Sequence, residues 1–183
     1  AEVGDICITG SGLEQVGEKM EQWNEVERVL YYNNISVHLD SGNNETSITC
    51  DVWKNPNQVK NEMVLEGRLP KYDNEIILST NVAKILEVHT GDTIYVTGKE
   101  ERLDYVVSGI DQKITNMGLR AIMTEKGAKW LNGTSYTTAL YVYTKDDIDY
   151  DTISKKVLKK FPDVSVLDSK KQIENIMASV TLA

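Results

Sequence analysis

The sequence predicts an α+β protein in which a ferredoxin-like α/β layer, built from both ends of the chain, carries a small β-rich insertion. Three observations predict it. The N-terminal part reads strand, helix, strand, strand; the pattern resumes after residue 137 as strand, helix, strand; and residues 61–125 between them are rich in short strand signals. The expected division is residues 1–60 and 126–183 for the α/β layer and residues 61–125 for the insertion.

Residues 4–9 read as the first strand. Ser11 and Glu14 have the Ser-x-x-Glu spacing with which a hydroxyl and a carboxylate satisfy each other's backbone donors at a helix start. Leu13, Val16, Met20 and Trp23 fall on one helical stripe, giving a helix of about three turns. Ile35, Val37 and Leu39 alternate, Ser41-Gly42-Asn43-Asn44 is a turn, and Ile48, Cys50 and Val52 alternate again, so a hairpin follows. In the insertion, strand signals at 75–78, 92–97 and 103–110 surround a short helix at 81–87 capped by Ser79 or Thr80. Beyond it, residues 139–143 form a strand. Asp146 to Asp151 open a helix with an apolar face at Ile153, Val157, Leu158 and Phe161, and Lys159 and Lys160 at its end complement the dipole. Residues 164–167 are a last strand, and 168–182 a last helix with apolar positions Ile173, Ile176, Met177 and Val180.

Composition narrows the function. The 183 residues are 40% hydrophobic, enough for a core, and the formal net charge is -8. Nucleic acid is excluded as a partner, because phosphate binding needs a clustered positive footprint. No apolar run approaches the ~20 residues that cross a bilayer, and no charged-then-apolar leader opens the chain. Cys7 and Cys50 are too far apart for a redox pair and too few for zinc. Their strand faces point opposite ways if the two strands are neighbours, so both are expected to be free.

The chemical motifs fail one by one. After Gly10 and Gly12 a dinucleotide loop needs glycine at position 15, where Gln15 stands, and Gly12 and Gly17 are followed by Glu18 and Lys19 rather than Lys and Ser or Thr. Asp147, Asp149 and Asp151 space like calcium ligands, but Thr152 replaces the turn glycine and Leu158 the bidentate glutamate. Lys155, Lys156, Lys159 and Lys160 read as the solvated face of a helix rather than a lipid-headgroup site. His38 and His89 have no nucleophile beside them and no metal-ligand spacing. No cofactor, metal or catalytic residue is expected.

The informative stretch is Glu66-Gly67-Arg68-Leu69-Pro70, then Asn74-Glu75-Ile76-Ile77-Leu78-Ser79, then Val88-His89-Thr90-Gly91-Asp92-Thr93-Ile94, then Tyr105 to Ile110. It resembles the extracytoplasmic core domain of MacB and FtsX-like ABC transporter permeases, with Gly67, Arg68, Pro70, Glu75, Gly91, Asp92 and Gly109 as the motif residues. Each has a structural reason as well. Gly67 and Gly91 suit positive φ, Pro70 breaks the chain, Asp92 can cap the Gly91 turn, and Gly109 permits a bulge.

The resemblance implies a porter-like α/β subdomain carrying the β-rich one, on the outer side of a bacterial cell membrane. It implies a cytoplasmic ATPase and flanking membrane helices as partners, and an extracellular protein or substrate beyond. The full protein would be a dimer, while the isolated domain is expected to be a monomer. The rival reading is a stand-alone ligand- or peptide-binding module, with Tyr31, Tyr32, Tyr136, Tyr141 and Tyr143 lining a pocket between the lobes; an enzyme built on scattered acids is the weakest alternative.

Overall fold

The computed structural model describes residues 4–60, 62–112 and 118–181. The chain begins with β1 (Ile6–Gly10), α1 (Leu13–Met20), β2 (Val26–Asp40) and β3 (Glu45–Trp53), then a 3-10 turn at Pro56–Gln58. There follow β4 (Val64–Gly67), β5 (Glu75–Ser79), α2 (Thr80–Leu86), β6 (Thr93–Thr97), β7 (Arg102–Asp111), β8 (Arg120–Thr124) and α3 (Glu125–Asn132). The last elements are β9 (Ala139–Thr144), α4 (Tyr150–Lys160), β10 (Val164–Asp168) and α5 (Ser169–Thr181). The fold is α+β, and its contacts form two compact units, Ala1–Tyr32 with Thr137–Ala183, and Asn33–Tyr136.

In the first unit the strand order is β10-β1-β9-β2, every neighbour antiparallel. Two strand-helix-strand halves interleave, the ferredoxin-like arrangement. Leu13, Val16 and Met20 of α1 and Ile153 and Val157 of α4 bury one apolar stripe each against Ile6, Ile8, Leu140 and Val142. Each such side chain contributes about 1.5–3 kcal/mol on burial.

α1 is shorter than the periodicity implies. It spans 8 residues and is capped by Gly12 in the left-handed region (φ 65), with no side-chain cap bond, so Ser11 does not form the expected capping box. A left-handed Gly12 takes the cap position one residue later than the Ser-x-x-Glu spacing requires. Trp23 lies beyond the helix end and stacks on Phe161, with ring centroids 6.0 Å apart, so its periodic spacing reflects core packing rather than a third turn. Within the helix, Gly17 leaves room for the Tyr31 ring: a Cβ there would sit 2.6 Å from it. The expected apolar face of α5 falls largely on Ile173, Ile176 and Val180, whose side chains lie outside the described residues; Met177 is exposed.

In the second unit the pairing runs in a closed circuit. β2 neighbours β3, β3 pairs parallel with β8, and β8 pairs antiparallel with β5. β5 then pairs parallel with β7, β7 antiparallel with β6, and β6 antiparallel with β2 through His38, Leu39 and Asp40. A closed circuit removes the free edges between these strands. Its interior holds Leu39, Cys50, Val52, Ile76, Leu78 and Ile94, among others, with α2 and α3 adding Val82, Leu86 and Leu131.

The units therefore divide at 32/33 and 136/137, not at the expected 60/61 and 125/126. β3 pairs with β8 and buries Ile48, Cys50 and Val52 in the second core, which draws the hairpin and α3 into that unit. Cys7 in the first unit and Cys50 in the second are both free and buried.

Candidate functional site

Six of the seven motif residues gather along β7, where its pairing partner changes. Along one edge of β7, residues 102–106 pair with β6 and residues 109–111 with β4. At the changeover Gly91 N–H donates to Val107 O (2.8 Å), Val107 N–H to Asp92 O (2.8 Å) and Arg68 N–H to Ser108 O (3.0 Å). On the other edge the register with β5 steps from Ile76↔Val107 to Ile77↔Gly109, leaving Ser108 as the extra residue of a bulge. The backbones here approach so closely that a Cβ on Gly67, whose φ is 67, would collide with Ser108 O, and one on Gly109 would lie 2.5 Å from Glu66 O. Gly91 has φ 94, and its turn is closed by the Asp92 carboxylate, which accepts from His89 N–H at 2.8 Å.

Glu75 organises the loop between β4 and β5. It is 6% exposed, and both its oxygens accept from the Arg68 guanidinium, at 2.9 and 2.6 Å. One of them also accepts from Lys71 N–H (3.0 Å) and Tyr72 N–H (2.7 Å). Burial pushes the Glu75 carboxyl up, but the Arg68 hydrogen bonds and the two amides outweigh it, so the group titrates below its ordinary range. Pro70, buried, closes the loop by accepting from Asn57 Nδ2 at 2.8 Å. The Arg68–Glu75 pair joins residues that the motif names separately, and nothing in their spacing announces it.

Two concavities flank this corner. One, of about 520 Å³, lies between β4 and α2 and is lined by Leu65, Glu66, Thr80, Lys84, His89 and Ile110, among others. The other, of about 720 Å³, is bounded by residues 54–57, the loop from Arg68 to Asp73, and the start of α3. Sequence reading did not find the second, because its walls come from three distant segments.

The remaining candidate residues serve structure. His38 faces Ser47 (2.9 Å) and Glu45 (3.3 Å) across the β2–β3 hairpin. Asp149 caps α4, accepting from Thr152 N–H at 3.0 Å and Thr152 Oγ1 at 2.6 Å. Tyr31 is buried and donates to Glu21 at 2.9 Å, and Tyr32 and Tyr141 meet edge to face at 5.5 Å. Tyr136 is 70% exposed. Among the described residues no group of three or more His, Cys, Asp or Glu side chains could hold a metal ion. No helix among them is long and apolar enough to cross a membrane.

This is the fold of extracytoplasmic domains of ABC transporter permeases. The periplasmic region of MacB from Actinobacillus actinomycetemcomitans superposes with a TM-score of 0.71 at 16% identity, over 96% of this chain and 94% of that one. The extracellular domain of the noncanonic ABC-type transporter YknZ from Gram-positive bacteria gives 0.68 at 16% identity, over 88% and 98%. A domain of a putative permease from Porphyromonas gingivalis gives 0.61 at 11%, over 90% of each chain. No family model and no curated protein matches the sequence.

Proposed function

We propose that this chain is the extracytoplasmic domain of an FtsX- or MacB-like ABC transporter permease. It would couple ATP hydrolysis by a separate cytoplasmic subunit or domain to the export or extraction of a substrate, or to activation of an extracellular partner. The observation that carries this reading is the joining of the two ends of the first unit. Ser169 N–H, at the start of α5, donates to Asp5 O just before β1 (3.2 Å), and Lys170 Nζ lies 3.0 Å from the Asp5 carboxylate. The same carboxylate accepts from Thr144 N–H at 2.8 Å and Thr144 Oγ1 at 3.1 Å. The segment that enters β1 and the start of α5 thus lie side by side. Two membrane helices attached at these points would move it as a rigid lever, and a rigid-body motion needs no catalytic residue.

In a full-length transporter, a reducible crosslink joining the domains of two protomers should abolish export or partner activation while ATP binding persists, and reduction should restore the work. Within this domain Cys7 and Cys50 are buried and should not compete for the crosslinker. Unimpaired work in the locked state would refute the lever.

A further inference from the structure

We propose that the cleft between residues 54–57, the Arg68–Asp73 loop and the start of α3 binds an extended acidic segment of a protein partner. The proposal rests on the permease reading and deepens it by naming where a partner would touch the second unit.

Charge is the first argument. The chain carries a formal net charge of -8, yet this cleft is lined by three lysines, Lys54, Lys71 and Lys126, against two carboxylates, Asp73 and Glu125, while the charge of Arg68 is offset by its partner Glu75. At physiological ionic strength charges beyond about 8 Å are largely screened, so a ligand in the cleft responds to the local cations and not to the acidic whole. A concave wall concentrates that field. The first turn of α3 adds the positive end of its dipole to the same side.

The cleft is also held open. Asn57 Nδ2 ties one wall to the other at Pro70 O, and the Asn55 side chain accepts from Asn57 N–H at 3.1 Å. Thr124 Oγ1, in the floor, donates to Asp73 at 2.8 Å while accepting from Gly127 N–H at 3.1 Å. Glu75 fixes the Arg68–Tyr72 loop from beneath. Walls ordered in advance lose little entropy when a ligand arrives.

The arrangement favours spaced carboxylates over a phosphate. Arg68, whose planar fork best grips phosphate, is committed in bidentate fashion to Glu75. The lysines sit on three separate segments rather than converging on one point. Beside them Tyr72 is 57% exposed, with Arg68 5.7 Å and Lys71 5.5 Å from its ring centroid, the kind of amphipathic anchor that peptide interfaces use.

The test uses the 183-residue chain and a short fluorescein-labelled peptide alternating glutamate with valine, followed by fluorescence anisotropy. Binding is expected with a Kd below about 1 mM, weakening as salt rises. Lys54→Glu, Lys71→Glu and Lys126→Glu together should weaken it at least about tenfold, whereas Lys155→Glu, Lys159→Glu and Lys160→Glu on α4 should change it less than about twofold. Should the first triple variant fail to fold, chemical-shift mapping on the unaltered chain decides. Amides of residues 54–57, 68–73 and 124–126 should move on titration, and shifts confined elsewhere would overturn the proposal. So would absence of binding, equal binding of a glutamine–valine peptide, equal loss in the α4 variant, or a preference for polyphosphate, which would assign the cleft to phosphate polymers. Any of these outcomes leaves the lever reading to its own crosslinking test.

Discussion

Glu75 is the residue on which the corner at β7 depends. Its carboxylate sits among four donors, and removing its charge leaves the Arg68 guanidinium and two loop amides facing a neutral amide. Glu75→Gln should cost about 2 kcal/mol, within the range for hydrogen bonds to a charged group, read by urea denaturation. The pH dependence follows from the same contacts. A carboxyl held below its ordinary value of 4.5 contributes stability that is fully present above that value and is lost as pH falls through the folded value. Asp5 acts in the same sense, since the Thr144 and Lys170 contacts outweigh its burial. Wild type should therefore lose stability as pH drops below about 4.5, and Glu75→Gln should lose less over that interval, so that the two denaturation midpoints converge. Gly67→Ala should be costlier, about 3 kcal/mol, because a left-handed φ is combined with a collision against Ser108 O and Gly109 Cα. A Gly67→Ala chain as stable as wild type would show that the corner relaxes freely. The turn residues of this corner could be read locally, since glycine and aspartate at turns act through their own backbone. The partnership of Arg68 with Glu75 could not, since it depends on how the loop between them folds back.

At the scale of elements, β7 is joined to α3 by one buried hydrogen bond, from Tyr105 Oη to Gly127 O at 2.7 Å. Tyr105 is 1% exposed, so Tyr105→Phe removes the hydrogen bond of a buried phenol while Gly127 O keeps its place in the helix, and should cost about 0.5–1.5 kcal/mol in thermal or urea unfolding. An effect under about 0.5 kcal/mol would mean that water replaces the phenol. The helices and strands with strong periodicity, such as α4 and β5 to β7, were legible because their apolar stripes repeat. β4, β8 and α3 were not read as elements. β4 spans four residues, too short for a period to declare itself, and β8, with Ala121, Ile122 and Met123 in succession, has neither alternation nor the β-branched density of Ile76-Ile77-Leu78 in β5. α3 spans eight, with its two ends marked by the Thr124 cap and by Gly133 at φ 74. Those two residues were the available signal. The parallel pairing of β3 with β8 joins residues such as Thr49 and Arg120, and no local pattern encodes a contact over that separation.

For the molecule as a whole, each unit owns a core: the second draws on residues from Val37 to Leu131, the first on residues from Ile6 to Tyr31 and from Leu140 to Val164. Residues 33–136 form one unbroken segment. Expressed alone, that segment should fold cooperatively, with a sigmoidal urea transition and slow exchange of the β5 and β7 amides. A fragment without cooperative unfolding would show that the circuit of strands needs the rest of the chain. The joint between the units has a consequence for how such proteins diversify. Within the first unit, Thr138 N–H donates to Tyr32 O at 2.8 Å, so the chain departs for the second unit and comes back at neighbouring positions of β2 and β9. A tight turn could join those two positions and complete a small sheet of β10, β1, β9 and β2. Anything with closely spaced ends could occupy that junction, so descendants of one such scaffold are free to lengthen, shrink or exchange the inserted body while the host sheet keeps its register.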